Sequence, residues 1–269
     1  MITKGIGNEY RRKLALIVNV AKGIIAPKMV SETLNISQQE AGRVLSRWNR
    51  QGWIKRIKRG VYIPIAAEDI TGMCSIEDSW ILADRLFSPG YIGGFSAIKH
   101  WDFSEQLFET TTFFTSKKIQ DRHPVIGNTK FHLKTIIDYK MFGTQVVWRD
   151  NTKILVSDPT KTIIDLLDDP SIVGGMRIVK DIFLEYKESN FFNVEKLISY
   201  AEKMGNKTIL KRLGFLMETE GFYDLIKQYE LPSKISSGYS LFDPGVENTS
   251  VIRKWNLKIP TIWKIRKND

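Results

Sequence analysis

The sequence predicts an α+β protein in two parts, a small basic head and a larger neutral remainder. Three observations predict it. All of the excess positive charge lies in the first quarter of the chain. That quarter reads as helices followed by a hairpin. The remainder holds a block of strand-like runs followed by a block of helical periodicity, and runs of one kind after the other mark α+β organisation. The chain has 269 residues, with 40 Lys+Arg against 30 Asp+Glu and a net charge of +10. Residues 1–65 hold 13 basic side chains and 3 acidic ones (Glu9, Glu32, Glu40), which leaves 27 of each sign in residues 66–269. A charge imbalance of this kind points to a polyanion-binding module joined to a neutral partner.

The head is read element by element. Tyr10, Leu14, Ile17, Val18 and Ala21 recur at three- and four-residue steps, which predicts a helix from Asn8 to Lys22 closed by Gly23. Pro27 opens a second, short helix through Val30 and Thr33 to Leu34, because a first-turn residue needs no N–H. Asn35 tolerates the left-handed backbone of a tight turn. Ser37-Gln38-Gln39-Glu40 has the form of a capping box, so a third helix is expected from Ser37 to Gln51. It carries Ala41, Val44, Leu45 and Trp48 on one side and Gln38, Gln39, Arg43, Ser46, Arg47 and Arg50 elsewhere. After Gly52, the runs Trp53–Ile57 and Val61–Ile65 around Lys58-Arg59-Gly60 predict a β-hairpin.

Helix, short helix, turn, polar-faced helix and basic hairpin make a winged helix-turn-helix, expected over residues 1–66. In such a unit the third helix lies in the major groove of duplex DNA. Gln38, Gln39 and Arg43 have the side chains that make bidentate contacts with adenine or guanine. Arg47, Arg50, Lys55, Arg56, Lys58 and Arg59 are placed for phosphates, which set affinity and position rather than sequence preference. A-form RNA fits less well, since its narrow major groove does not admit a helix. The same pattern also occurs in winged helices that bind proteins, and a basic face can be merely solvated.

The neutral remainder, 67–269, is expected as an α/β domain with a sheet-containing part (67–170) and a mainly helical part (171–269). Ala66–Thr71 reads as the connection. A helix is expected over Glu77–Phe87, stopped by Pro89-Gly90. Tyr91-Ile92-Gly93-Gly94 then reads as a glycine turn before a short helix that Ser96 could cap. Thr110–Thr115, Lys130–Lys134, Gln145–Trp148 and Lys153–Val156 are expected strands of one sheet. Asp158-Pro159 opens a helix with Ile163, Ile164, Leu166 and Leu167 inward, ended by Asp168-Asp169-Pro170. Helices follow at Ile178–Tyr186, Val194–Met204 and Thr208–Glu220, and the stretch Ser237–Ile265 adds a terminal strand or covers the helices.

Other function classes find little support. One cysteine, Cys74, excludes a disulfide framework and fits a reducing compartment. No apolar run approaches membrane-spanning length, and the first residues lack the apolar core of a signal peptide, so a soluble cytoplasmic protein without a membrane partner is expected. Three histidines and one cysteine leave little for a soft-metal site. No Walker-type loop or dinucleotide fingerprint is present, so no cofactor is expected. Gly93-Gly94-Phe95-Ser96 lacks the Asp-x-Asp pair of a nucleotidyltransferase turn. Glu218 and Glu220 stand late in a helix and point apart. Ser96, His100 and Asp102 suggest a hydrolytic triad only loosely, without a G-x-S-x-G elbow, and a capping serine and a packed histidine are the expectation. Glu185-Tyr186-Lys187 matches the end of a nuclease motif, but its two-residue step aligns the side chains only on a strand, and this segment reads as helix. The expectation is a protein without catalytic residues.

Several segments of the remainder are recognisable in order. They are Ile81-Leu82-Ala83-Asp84-Arg85-Leu86 with Pro89-Gly90-Tyr91-Ile92-Gly93-Gly94-Phe95-Ser96-Ala97-Ile98 and His100-Trp101, then Ser104-Glu105-Gln106 and the strand at Thr110. Val156-Ser157-Asp158-Pro159-Thr160-Lys161-Thr162-Ile163-Ile164-Asp165-Leu166-Leu167 and Lys211-Arg212-Leu213-Gly214-Phe215-Leu216 follow. With a preceding wing that ends Arg59-Gly60-Val61-Tyr62, the chain resembles the AbiEi-type antitoxins of type IV (abortive infection) toxin–antitoxin systems, from the second helix to about Trp255. The resemblance implies a bacterial autorepressor that binds promoter inverted repeats through the winged helix. It also implies that the carboxy-terminal domain counters a nucleotidyltransferase-like toxin. The shared residues read as structural, and none is assigned to toxin contact. Two alternatives stand beside this one: a stand-alone winged-helix regulator with a ligand- or protein-sensing domain, and a DNA-targeted nuclease.

Overall fold

The computed structural model describes residues 8–21, 23–65, 78–106, 109–126 and 129–263. The expected connection at 66–71 and Cys74 lie outside the described residues. The head consists of α1 (Asn8–Ala21), α2 (Pro27–Leu34), α3 (Gln38–Arg50), β1 (Ile54–Lys58) and β2 (Val61–Pro64). The local signals act as their chemistry dictates. Asn35 ends α2 in the left-handed conformation, at φ 50°. The Ser37 hydroxyl accepts from the Glu40 N–H while the Glu40 carboxylate accepts from the Ser37 N–H, which closes the capping box of α3. Ile17, Val30, Leu45, Trp48 and Ile54 are fully buried together as the core of the head.

The hairpin differs in detail from the expected one. Trp53 and Ile65 lie outside the strands, and Lys58 belongs to β1, so that only Arg59-Gly60 turns the chain. An irregularity between Arg56 and Lys58 shifts the register and accommodates the extra residue. Tyr62 also exchanges two backbone hydrogen bonds with Ile25, at 2.7 and 2.9 Å, so the segment before α2 acts as a third short strand.

The remainder is built on a mixed six-stranded sheet. Its strands are β3 (Gly90–Ile92), β4 (Thr110–Thr115), β5 (Val125–Ile126), β6 (Thr129–Thr135), β7 (Thr144–Arg149) and β8 (Thr152–Ser157), in the order β5-β6-β4-β3-β8-β7. The four expected strands are all in it. Of the segment expected as a glycine turn, Tyr91 and Ile92 instead belong to β3, near the middle of the sheet, while Gly93 and Gly94 lead into a short helix as expected. Gly90 is required there by crowding: a Cβ would meet the Phe114 carbonyl oxygen at 2.0 Å and the Phe113 ring at 2.5 Å. The following helix, α5 (Gly94–His100), is preceded by Gly93, not capped by Ser96. Ser96 is buried, and its hydroxyl accepts from the Thr112 N–H of β4 at 2.9 Å, fastening α5 to the sheet.

Alternation along the strands builds two cores. Tyr91 and Phe114 face one side of the sheet, under α6 (Pro159–Asp168), α7 (Met176–Glu188), α8 (Val194–Lys203) and α9 (Lys207–Thr219). Ile92, Phe113 and Phe131 face the other, under α4 (Ser79–Phe87). Helix α10 (Tyr223–Gln228) and a small sheet of β9 (Ser240–Leu241), β10 (Ser250–Ile252) and β11 (Leu257–Ile259) complete the chain, in the order β10-β11-β9. Both expectations for the last stretch are met, since it forms strands and also places Trp255 against Gly214 of α9.

Helix α6 is buried on every side, including Lys161 at 0% and Asp165 at 2% exposure. The two pair with each other, Lys161 Nζ donates to the Tyr91 hydroxyl at 2.8 Å, and that hydroxyl donates to Asp165 at 2.9 Å. A closed chain of donors and acceptors is what allows charge at such depth. Burial, then the neighbouring Asp165 charge, pushes the Tyr91 hydroxyl well above its ordinary range and keeps it a donor.

The head is not tethered by the connection alone. Ile63 of β2 is buried in the core beneath α4, and the Arg85 guanidinium of α4 donates to the carbonyl of Ala21 at the end of α1, at 2.6 Å. That contact satisfies a terminal helix carbonyl and ties the head to the remainder.

Candidate nucleic-acid interface

The exposed side of α3 and the hairpin enclose an open groove of about 680 Å³. Its positions on α3 are Gln39, Gly42, Arg43, Ser46, Arg47 and Arg50, a run of three- and four-residue steps that forms one stripe. Ala41, Leu45 and Trp48 bury the opposite side. The far wall carries Arg56, Arg59, Gly60 and Tyr62, with Pro27 at the end. Five guanidinium groups therefore line one groove, and among the described residues no acidic side chain does. Gly42 leaves room at its floor: a Cβ added there would meet nothing within 4 Å.

The groove's shape is held by bonds across it. The Asn49 side-chain carbonyl accepts from the Arg56 N–H at 2.8 Å, which sets β1 against the end of α3. The Arg47 guanidinium donates to the Tyr10 hydroxyl of α1 at 3.0 Å and lies 5.8 Å from that ring's centroid. It is thus held in place with other donors to spare.

Of the nine residues expected at a DNA interface, six line the groove: Gln39, Arg43, Arg47, Arg50, Arg56 and Arg59. Lys58 is paired by its backbone with Val61 beside the turn. Gln38 is exposed at the first position of α3 but does not line the groove. Lys55 sits on the other face of the hairpin, because its cross-strand partner is Ile63, which turns into the core under α4. Arg56 instead pairs with the groove-lining Tyr62. Ser46, read on the polar side of α3, lines the groove too, and Gly42 is a groove position that a three-residue step from Gln39 would have identified; Tyr10 and Pro27 come from elements that sequence spacing does not link to α3.

The candidates for chemistry do not assemble. Ser96 is engaged with Thr112, while His100 packs edge-on against Trp80 and Trp101, at 5.5 and 4.5 Å between centroids. Asp102 is exposed with a left-handed backbone. Glu185 and Lys187 lie in helix α7. Glu218 binds Lys254 and the Trp255 indole, whereas Glu220 pairs with Lys180 at 2.9 Å. Among the described residues no group of three or more His, Cys, Asp or Glu side chains is arranged to hold a metal ion. Among the same residues no helix is long and apolar enough to cross a membrane.

No known protein family and no curated protein matches the chain. A solved structure does: the crystal structure of the RV2827C protein from Mycobacterium tuberculosis aligns with a TM-score of 0.60 over 95% of this chain and 92% of that one, at 13% sequence identity. At that identity the likeness speaks for the fold alone, a mixed α+β arrangement shared over nearly the whole length of both chains.

Proposed function

We propose that the head is a winged helix-turn-helix that binds duplex DNA, with α3 in the major groove and the β1–β2 hairpin as its wing. The groove lined by five arginines and Gln39, with no acidic side chain among its described residues, is the observation that carries this reading. Such a groove suits a polyanion, since a guanidinium binds phosphate or a guanine edge bidentately. Together with the sequence resemblance, this makes the protein a cytoplasmic, non-enzymatic repressor of its own promoter, bound at inverted repeats. The remainder then acts as the antitoxin part, countering a nucleotidyltransferase-like toxin. Full-length protein binding to duplexes from its own upstream region tests the DNA part. Arg43→Ala should cost about 1–3 kcal/mol at one base position and relax preference there, while Arg59→Ala weakens all sequences alike. Absence of binding at low salt would remove the assignment. Co-expression with a neighbouring toxin gene tests the antitoxin part: growth should be restored by the full chain and not by a chain lacking residues 66–269.

A further inference from the structure

A second depression, of about 360 Å³, lies in the neutral remainder between the starts of α4 and β4, helix α5 and the end of β7. Its volume falls in the range of small-molecule sites. Three basic side chains reach it: Lys99 and His100 from α5, and Arg149 from β7. The Arg149 guanidinium is laid over the Trp80 ring, 4.4 Å from its centroid, and His100 holds the same ring at 5.5 Å. Arg149 Nε is buried, yet among the described residues it has no hydrogen-bond partner. Among the described residues Asp78 is the nearest carboxylate, with one oxygen 4.0 Å away and the other accepting from the Trp80 and Ile81 N–H groups as the cap of α4. A buried guanidinium nitrogen without an acceptor calls for one.

The hydroxyls lining the depression are set to donate. Ser79 Oγ accepts from Thr111 at 2.7 Å and Ser96 Oγ accepts from the Thr112 N–H at 2.9 Å, so each keeps its own proton for another acceptor. The acidic side chain in the lining, Glu109, is 85% exposed and is drawn to Lys130 at 3.4 Å. Burial, and then the nearby charge of Arg149, lower the His100 pKa.

We infer that this depression is an oxyanion site: it takes the phosphate or carboxylate group of a small molecule, with Arg149 and Lys99 as countercharges and Ser79 and Ser96 as hydroxyl donors. It is separate from the arginine groove and stands whether or not the head binds DNA. The chain has three histidines, so His100 can be followed by its ring resonances in carbon–proton NMR spectra, with His123 and His132, stacked on each other at 4.8 Å, as internal controls. Titration of the full-length protein with inorganic phosphate at constant ionic strength should shift His100 saturably and leave the control pair still. Arg149→Gln and Lys99→Gln should each weaken that response about tenfold, with unchanged His123 and His132 resonances showing that the fold is kept. A parallel titration with acetate separates a phosphate site from a carboxylate site, and saturating duplex DNA should leave the His100 response in place. A His100 response no larger than with chloride for both anions, or one that both variants leave unchanged, overturns the inference.

Discussion

Salt dependence gives the DNA reading its sharpest number. In the proposed complex, four groove arginines, Arg47, Arg50, Arg56 and Arg59, would contact phosphates, with Arg43 at a base edge. Each phosphate neutralised releases counterions, so log K should fall with log salt at a slope of about −0.9 × 4, or roughly −3.6. Between 50 and 200 mM salt the affinity should then drop ~150-fold. Arg59→Gln removes one contact and should flatten the slope to about −2.7. Fluorescence anisotropy with a labelled duplex across that salt range measures both. A slope shallower than about −1, or one that Arg56→Gln and Arg59→Gln together leave unchanged, would refute an arginine-lined phosphate track.

Three further predictions concern the remainder. Gly214→Ala pushes a methyl to within 2.1–2.6 Å of three Trp255 ring atoms, and should cost ~2–3 kcal/mol, a Tm lower by roughly 5–10 °C in calorimetry. Arg212, whose guanidinium donates to the carbonyls of Leu167, Asp168, Leu241 and Phe242 and whose pKa burial lowers to about 10, ties α6 to β9. Arg212→Lys keeps the charge but loses the fork, and urea unfolding should show a loss of ~3 kcal/mol; a neutral result would mean the carbonyls find other donors. Lys161→Met leaves Asp165 buried without its partner and should cost about 3–5 kcal/mol, whereas adding Asp165→Leu should recover part of the loss. A double variant less stable than Lys161→Met would contradict the pairing argument.

Legibility followed range along the chain. The capping box at Ser37, the left-handed Asn35, Pro27 at a first turn and Asp158-Pro159 at another are decided within four residues, and each acts where the local chemistry puts it. The stripe from Gln39 to Arg50 was equally open to reading, because helical geometry alone aligns it. The hairpin was placed but not its register, since an irregularity after Arg56 and a bridge from Tyr62 to Ile25 involve residues that local spacing does not pair.

What the sequence determined by itself, then, is the division into a basic head and a neutral remainder, the helices with their caps, and most strands of the sheet. Tertiary structure decided the rest. Tyr91 and Ile92 look like part of a turn until pairing with Phe113 and Phe114 of β4 makes them a central strand. Lys55 looks like a neighbour of Arg56 in one groove until Ile63, across from it, turns that face of the hairpin toward α4. Lys161 and Arg212 look like surface charges until distant partners surround them. The physical reason is the same in each case: a cap or a helical stripe is set by neighbours in sequence, whereas burial is set by whatever the fold brings alongside.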